Sequence, residues 1–223
     1  VGDMIKSTVG DLNEFPTDVN IHLDGSGGKN TKDPRNRICG WAWICTNGPT
    51  SQEIGEWGSL EGTQTVPRAE ACALLQAIRA LILYGSGNNT YIVYSDSSVT
   101  ISKWRCIEWT PKFDDQIWYD MKCMKEVLDS KYCKIDLRKV KSHATQEEMD
   151  NGLSSPILKH GNDRADHFAG EGAKIYQVEP GIMNLVHMVD ARTWMIQKRL
   201  LHISMQMSDG HQHSPKKQPL PHY

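Results

Sequence analysis

The chain has 223 residues, 39% of them hydrophobic and 23% charged, with a formal net charge of −2. This is a globular composition with enough apolar material for a core, and no run approaches the roughly 18 uninterrupted apolar residues of a membrane span. The charge balance excludes a protein that grips nucleic acid through a global basic field, but not one that does so through metal ions or a locally basic rim.

The six cysteines form no C-x-x-C pair, which points to a reduced intracellular protein, nuclear or cytoplasmic, without a zinc site. The first six residues lack the apolar core of a signal peptide. A start on Val1 predicts a piece excised from a longer chain such as a polyprotein.

Residues 1–17 carry no period and are expected to form a loose leader. From Asp18, the apolar Val19, Ile21 and Leu23 alternate with polar residues and predict a strand. Gly25-Ser26-Gly27-Gly28 breaks it. Residues 38–46 and 54–60 read as two more strands, completing an antiparallel meander. Pro67 suits the first turn of a helix whose apolar face is Leu74, Leu75, Ile78, Leu81 and Ile82 and which Gly85 can end.

Residues 90–94 form a short strand, and the serines around Asp96 offer an N-cap for a helix through Trp104. A helix over 115–128, a strand over 134–140, a loop bearing His143 and a helix over 162–173 follow. Residues 18–176 therefore predict one α/β catalytic domain, a mixed sheet flanked by helices. Residues 177–207 predict a helical extension, with Leu185, Val189, Ile196, Leu200 and Ile203 at near-helical spacing. That face either packs on the domain or, being Met-rich, meets a neighbouring domain or partner chain. The Pro-, His- and Lys-containing segment 208–223 is expected to be a disordered tail.

Four acidic residues stand near element ends, and each has a simple structural reading. Asp24 suits an Asp-Gly turn, Glu70 the dipole of a helix first turn, Asp96 an N-cap, and Asp166 a solvated helix face. Jointly they say more. If the first and fourth strands are neighbours, Asp24 and Asp96 emerge side by side, and two helix starts can bring Glu70 and Asp166 to the same edge. Clustered carboxylates repel one another and favour divalent cations between them. An all-oxygen donor set suits Mg²⁺ or Mn²⁺, and two such ions support in-line attack of water on a phosphodiester. His143, beside such a site, has the ordinary imidazole range needed to move a proton. Trp104, Trp109 and Trp118 are either stacking platforms or core.

Five motifs carry a resemblance: Leu23-Asp24-Gly25-Ser26-Gly27, Pro67-Arg68-Ala69-Glu70, Tyr94-Ser95-Asp96-Ser97, Val140-Lys141-Ser142-His143-Ala144 and Gly161-Asn162-Asp163-Arg164-Ala165-Asp166. In this order they resemble the type 1 ribonuclease H family over roughly residues 19–173. The resemblance implies a five-stranded mixed sheet, and two Mg²⁺ ions that Mn²⁺ can replace. It implies hydrolysis of the RNA strand of an RNA–DNA hybrid to 5′-phosphate and 3′-hydroxyl ends. It makes Asp24, Glu70, Asp96 and Asp166 the metal ligands and His143 a proton shuttle or product-release aid. Gly25, Ser26, Gly27, Gln64, Arg68 and Ser97 are the candidate substrate contacts.

Three features depart from the family. Val66-Pro67 stands where asparagines often touch the hybrid, leaving Gln64 as a substitute. The segment between Trp104 and Ile117 is too short for a basic helical handle. His143 and Asp166 are 23 positions apart, across a stretch with Gly152, Ser154, Ser155 and Pro156 expected to be a mobile loop. The rivals are a DNA-directed nuclease or transposase on the same fold, and an idle scaffold, which would have lost a carboxylate. The non-Met start, missing handle and C-terminal appendage resemble ribonuclease H domains fused to retroelement reverse transcriptases, so a fused or associated polymerase is an expected partner. Oligomeric state is not legible in the sequence.

Overall fold

The computed structural model describes residues 5–16, 18–109, 115–142, 144–152 and 154–212. Strands β1 (Lys6–Val9), β2 (Asn20–Ser26), β3 (Gly40–Thr46), β4 (Ile54–Ser59), β5 (Thr90–Ser95) and β6 (Lys134–Lys139) form one mixed sheet in the order β1-β4-β3-β2-β5-β6. The first four in that order pair antiparallel, whereas β2–β5 and β5–β6 are parallel. Helices α1 (Val66–Tyr84), α2 (Ser98–Arg105), α3 (Gln116–Ser130), α4 (Gln146–Asp150), α5 (Pro156–Lys174) and α6 (Pro180–Gln212) complete the described elements. The chain divides into two units, Val1–Gln177 and Val178–Tyr223.

Strand alternation assigns the two faces. Ile21, Leu23, Trp41, Trp43 and Cys45 join Leu74, Ile78 and Leu81 of α1 in one buried cluster. His22, Ala42 and Ile44, one step out of phase, are fully buried as well. That second face lies under α5, whose Gly161 abuts the His22 ring. The α5 surface that meets the sheet is built from Ala165, Ala169, Gly172 and Ala173. A Cβ on Gly40 would fall 2.1 Å from the Ala169 carbonyl oxygen, so helix and sheet touch backbone to backbone.

The sheet has six strands, where five were expected. Lys6–Val9, inside the expected leader, pairs with β4 from Lys6↔Gly58 to Val9↔Gly55. A four-residue edge strand shows too few alternations for its period to stand out. The stretch before Asp166, expected to be a loop, holds α4 and the first turns of α5, which starts at Pro156 rather than at residue 162. Local chemistry accounts for both. Thr145 and Glu148 form a capping box, and Ser155 caps a helix with Pro156 in its first turn.

In the second unit α6 is a single helix that runs beyond residue 207, into the segment expected to be disordered, and ends at Gln212. Among the described residues no helix is long and apolar enough to cross a membrane.

Candidate active site

The parallel pairing of β2 with β5 sets Leu23 opposite Ser95. Asp24 and Asp96, each one residue further on, therefore lie side by side where β2 and β5 stop pairing; β2 itself continues along β3 to Ser26, past the glycine expected to break it. From one face α1 delivers Glu70. The approach depends on Gly25, where a Cβ would lie 2.5 Å from the Glu70 backbone nitrogen. From the other face α5 delivers Asp166 and, one turn earlier, Asn162. The four carboxylates and Asn162 line one cavity of about 320 Å³ with residues 25–28, Thr31 and Val66.

The helix starts do not bring the acids together. Glu70 lies one turn inside α1, and Asp166 sits near the middle of α5. What brings Asp166 to Asp24 is the crossing of α5 over β2, made possible by its small residues.

The site is electrostatically costly. The Asp24 carboxyl is pushed up to about 8, first by burial and then by the negative charge of Asp96, with Asp166 adding to it. The Gly25 N–H, donating to Asp24 Oδ1 at 2.8 Å, opposes the rise. Glu70 is also raised, chiefly by burial; hydrogen bonding from Ser97 opposes this, and the Asp96 charge adds to it. Thr100 Oγ1 donates to Glu70 Oε2 at 3.5 Å, and the Lys139 charge favours the ionised form. Oxygen donors that raise one another's proton affinity fit hard divalent cations, which would replace that repulsion by attraction. Among the described residues no three His, Cys, Asp or Glu side chains close around one point as a formed metal cage. The carboxylates share a cavity; they do not form a finished coordination shell.

The candidate substrate contacts divide. Gly25, Ser26 and Gly27 line the carboxylate cavity, although the Gly25 amide is engaged by Asp24 and Ser26 Oγ accepts from the Gly28 amide at 3.2 Å. Gln64 does not line it. Its Oε1 accepts from the Cys39 amide at 2.7 Å, and its Nε2 donates to the carbonyls of Leu60 and Gly62 at 2.7 and 2.9 Å. Both amide protons are thus spent on the loop.

Arg68 Nε donates to Asp115 Oδ2 at 2.8 Å, tying α1 to the N-cap of α3. It borders a separate cavity of about 310 Å³ with Lys103 and Trp118. Ser97 is buried and caps α2, accepting from the Thr100 amide at 3.2 Å. Trp104 and Trp118 belong to the core, while Trp109 is 83% exposed. His143 lies outside the described residues.

Four neighbours of the site had no place in the sequence argument: Asn162, Thr31, Thr100 and Lys139. Asn162 belongs to the Gly161–Asp166 motif, but neither its residue type nor that of Lys139 distinguishes a site neighbour from a surface residue. Lys139 Nζ donates to the Asp96 carbonyl oxygen at 3.4 Å, an arrangement that depends on β5–β6 pairing.

Solved structures of the same fold include the protease–reverse transcriptase of prototype foamy virus, at 18% identity and a TM-score of 0.50. That alignment covers 74% of this chain but only 22% of the viral one, so this chain spans about a fifth of that protein's length. RNase H1 from Halobacterium salinarum aligns at 18% identity over 70% of this chain and 97% of its own, with a TM-score of 0.44. LC11-RNase H1, solved in complex with an RNA/DNA hybrid, aligns at 14% identity over 70% and 97%, with a TM-score of 0.48. No curated protein matches the chain. The RNase H family profile, by contrast, matches residues 16–174, which include β2 through α5 and every carboxylate of the cavity. The chain therefore belongs to the RNase H family of nucleases.

Proposed function

We propose that the protein is an endoribonuclease that hydrolyses the RNA strand of RNA–DNA hybrids with two divalent ions, Mg²⁺ or Mn²⁺, leaving 5′-phosphate and 3′-hydroxyl ends. The observation that carries this reading is the convergence of Asp24, Glu70, Asp96 and Asp166 on one cavity within a family of nucleases. These four carboxylates would hold the ions, which when bound supply water activation and charge neutralisation at the phosphodiester.

The chain's own groups prepare the site. Burial and crowding make the ionised form of Asp24 energetically unfavourable, a penalty that a bound cation would relieve. Thr100 and Ser97 fix the Glu70 carboxylate through hydrogen bonds. Ser26 and Gly27 line the same cavity of about 320 Å³ beside the acids. His143, four positions after the end of β6, is the proton carrier in this reading. The free cysteines suit a reducing intracellular compartment, nucleus or cytoplasm. A polymerase, fused or associated, is the proposed working partner, a reading consistent with the fold shared with the foamy virus protein.

The test is cleavage of an end-labelled RNA–DNA hybrid with Mg²⁺, alongside DNA duplex, RNA duplex and single-stranded RNA. The intact chain should cut only the hybrid's RNA, EDTA should stop it, and Asp96→Asn should lower the rate at least ~10³-fold, as loss of a group acting directly on the reacting charge does. Cleavage of the DNA duplex, or full activity in Asp96→Asn, would overturn the assignment.

A further inference from the structure

Along α6 a second period is superimposed on the helix. Ile182, Val189, Ile196 and Ile203 recur every seven residues, and Val186, Thr193, Leu200 and Met207 recur in the same way, each four residues after one of them. The alternating three- and four-residue spacing is that of a coiled-coil seam, with the first set at d positions and the second at a positions. The repeat is 3.5 residues per turn, whereas the core-facing stripe of a lone globular helix follows 3.6. It spans residues 182–207, about 39 Å of helix. Ile196, Leu200 and Ile203 at its centre are 58, 60 and 51% exposed. A helix of this length with such a seam open to water is marginal by itself, because helical stability comes mainly from packing an apolar face.

We propose that α6 is a self-association element: copies of this chain join through the a and d seam as a parallel coiled coil. The occupant is a second copy because a seam with this spacing needs a partner carrying the same spacing, and the helix itself supplies one. Flanking charges select the orientation. Arg192 and Arg199 occupy the g positions beside the seam. An antiparallel pair that keeps all four heptads in register sets Arg192 of each copy beside Arg199 of the other, a like-charge contact made twice. The parallel arrangement instead faces Arg192 with Gln197, and Arg199 with Ser204, of the neighbouring copy. The β-branched d positions, with Leu200 at an a position, direct three or four strands rather than two. Trp194, held under Lys198 Nζ at 5.2 Å, lies off the seam.

The full chain, with a monomer mass of 25.2 kDa, is tested by light scattering on the eluting peak across a micromolar dilution series. Three or four chains per particle are expected, two would still place the seam between copies, and a monomer at every concentration overturns the proposal. The double variant Ile196→Asp, Leu200→Asp should become monomeric, while the off-seam Lys198→Glu keeps the wild-type mass. Persistence of the oligomer in the double variant also overturns it. Orientation is read from Met207→Cys, mapped by peptide mass. A disulfide between copies at that position marks the parallel form, since the antiparallel form separates the two sites by about 37 Å. Hybrid cleavage per chain should be unchanged in the double variant, which separates this test from that of the proposed activity.

Discussion

Gln64 accepts from the Cys39 amide and donates to the carbonyls of Leu60 and Gly62, so its side chain closes the turn that leads into α1. Nothing in the residue type distinguishes that brace from a substrate contact, and only the hydrogen bonds decide. Gln64→Ala should cost about 1–3 kcal/mol of stability by leaving the buried Cys39 amide and the Leu60 carbonyl without their partner. A urea-unfolding midpoint reads that loss. Discrimination between hybrid and DNA duplex should stay as in the wild type, and a changed discrimination with an unchanged midpoint would return Gln64 to the substrate. Arg68 shows the same ambiguity: its guanidinium is committed to Asp115. Asp24 and Asp96 were legible because their positions at strand ends follow from alternation and turn signals within a few residues.

At the scale of elements, the contact of α5 with the sheet carries the site. His22 is buried, neither ring nitrogen has a hydrogen-bond partner, and burial followed by the His160 charge pushes its imidazole down to about 4. It is a neutral filler, stacked on Tyr94 with ring centroids 5.2 Å apart. A Cβ on Gly161 would lie 2.2 Å from its Nε2, whereas one on Gly170 would meet nothing within 4 Å. In exposed helix interiors Gly→Ala gains up to about 1 kcal/mol, and Gly170→Ala should do so. Gly161→Ala should instead lose about 1–3 kcal/mol, because the crowded ring must move. Gly40→Ala should lose more, since it strikes backbone. Thermal unfolding of the three variants checks the order, and a stabilising Gly161→Ala would mean that α5 does not sit where the structure places it.

The same contact explains what could not be read from single elements. The helix expected over 162–173 starts earlier because of Ser155 and Pro156, whose cap signal is equally common in loops. β1 escaped because an edge strand of four residues is specified by its partner β4 more than by its own side chains.

For the whole molecule, the carboxylate cluster would link folding to the proposed cation binding. The Asp24 carboxyl has an ordinary value of 3.8 and a folded value of about 8. Between those values the folded state holds the extra proton, so metal-free stability should fall as pH rises through that window and level off above it. Asp24→Asn should remove this slope and stabilise the metal-free protein at pH 7 by about 2–4 kcal/mol. Mg²⁺ should raise the melting temperature of the wild type at pH 7 and have little effect on the variant. Equal Mg²⁺ responses in the two proteins would show that the ions do not bind at this cavity.

By itself the sequence determined the α/β class, the order of the main elements and the four acids, because periodicity, caps and turn chemistry act over a few residues and leave their mark locally. It also contains the heptad of α6, a regular pattern that needs no contact to be seen. Only the tertiary structure decided which polar side chains face the cavity, how Asp166 reaches Asp24 from mid-helix, and that Gln64 and Arg68 are held by the scaffold. Those facts depend on strand pairing and on the close crossing of α5 over β2. Both bring together residues distant in the chain, and the energies involved are carried by pairs of residues that neither partner reveals alone.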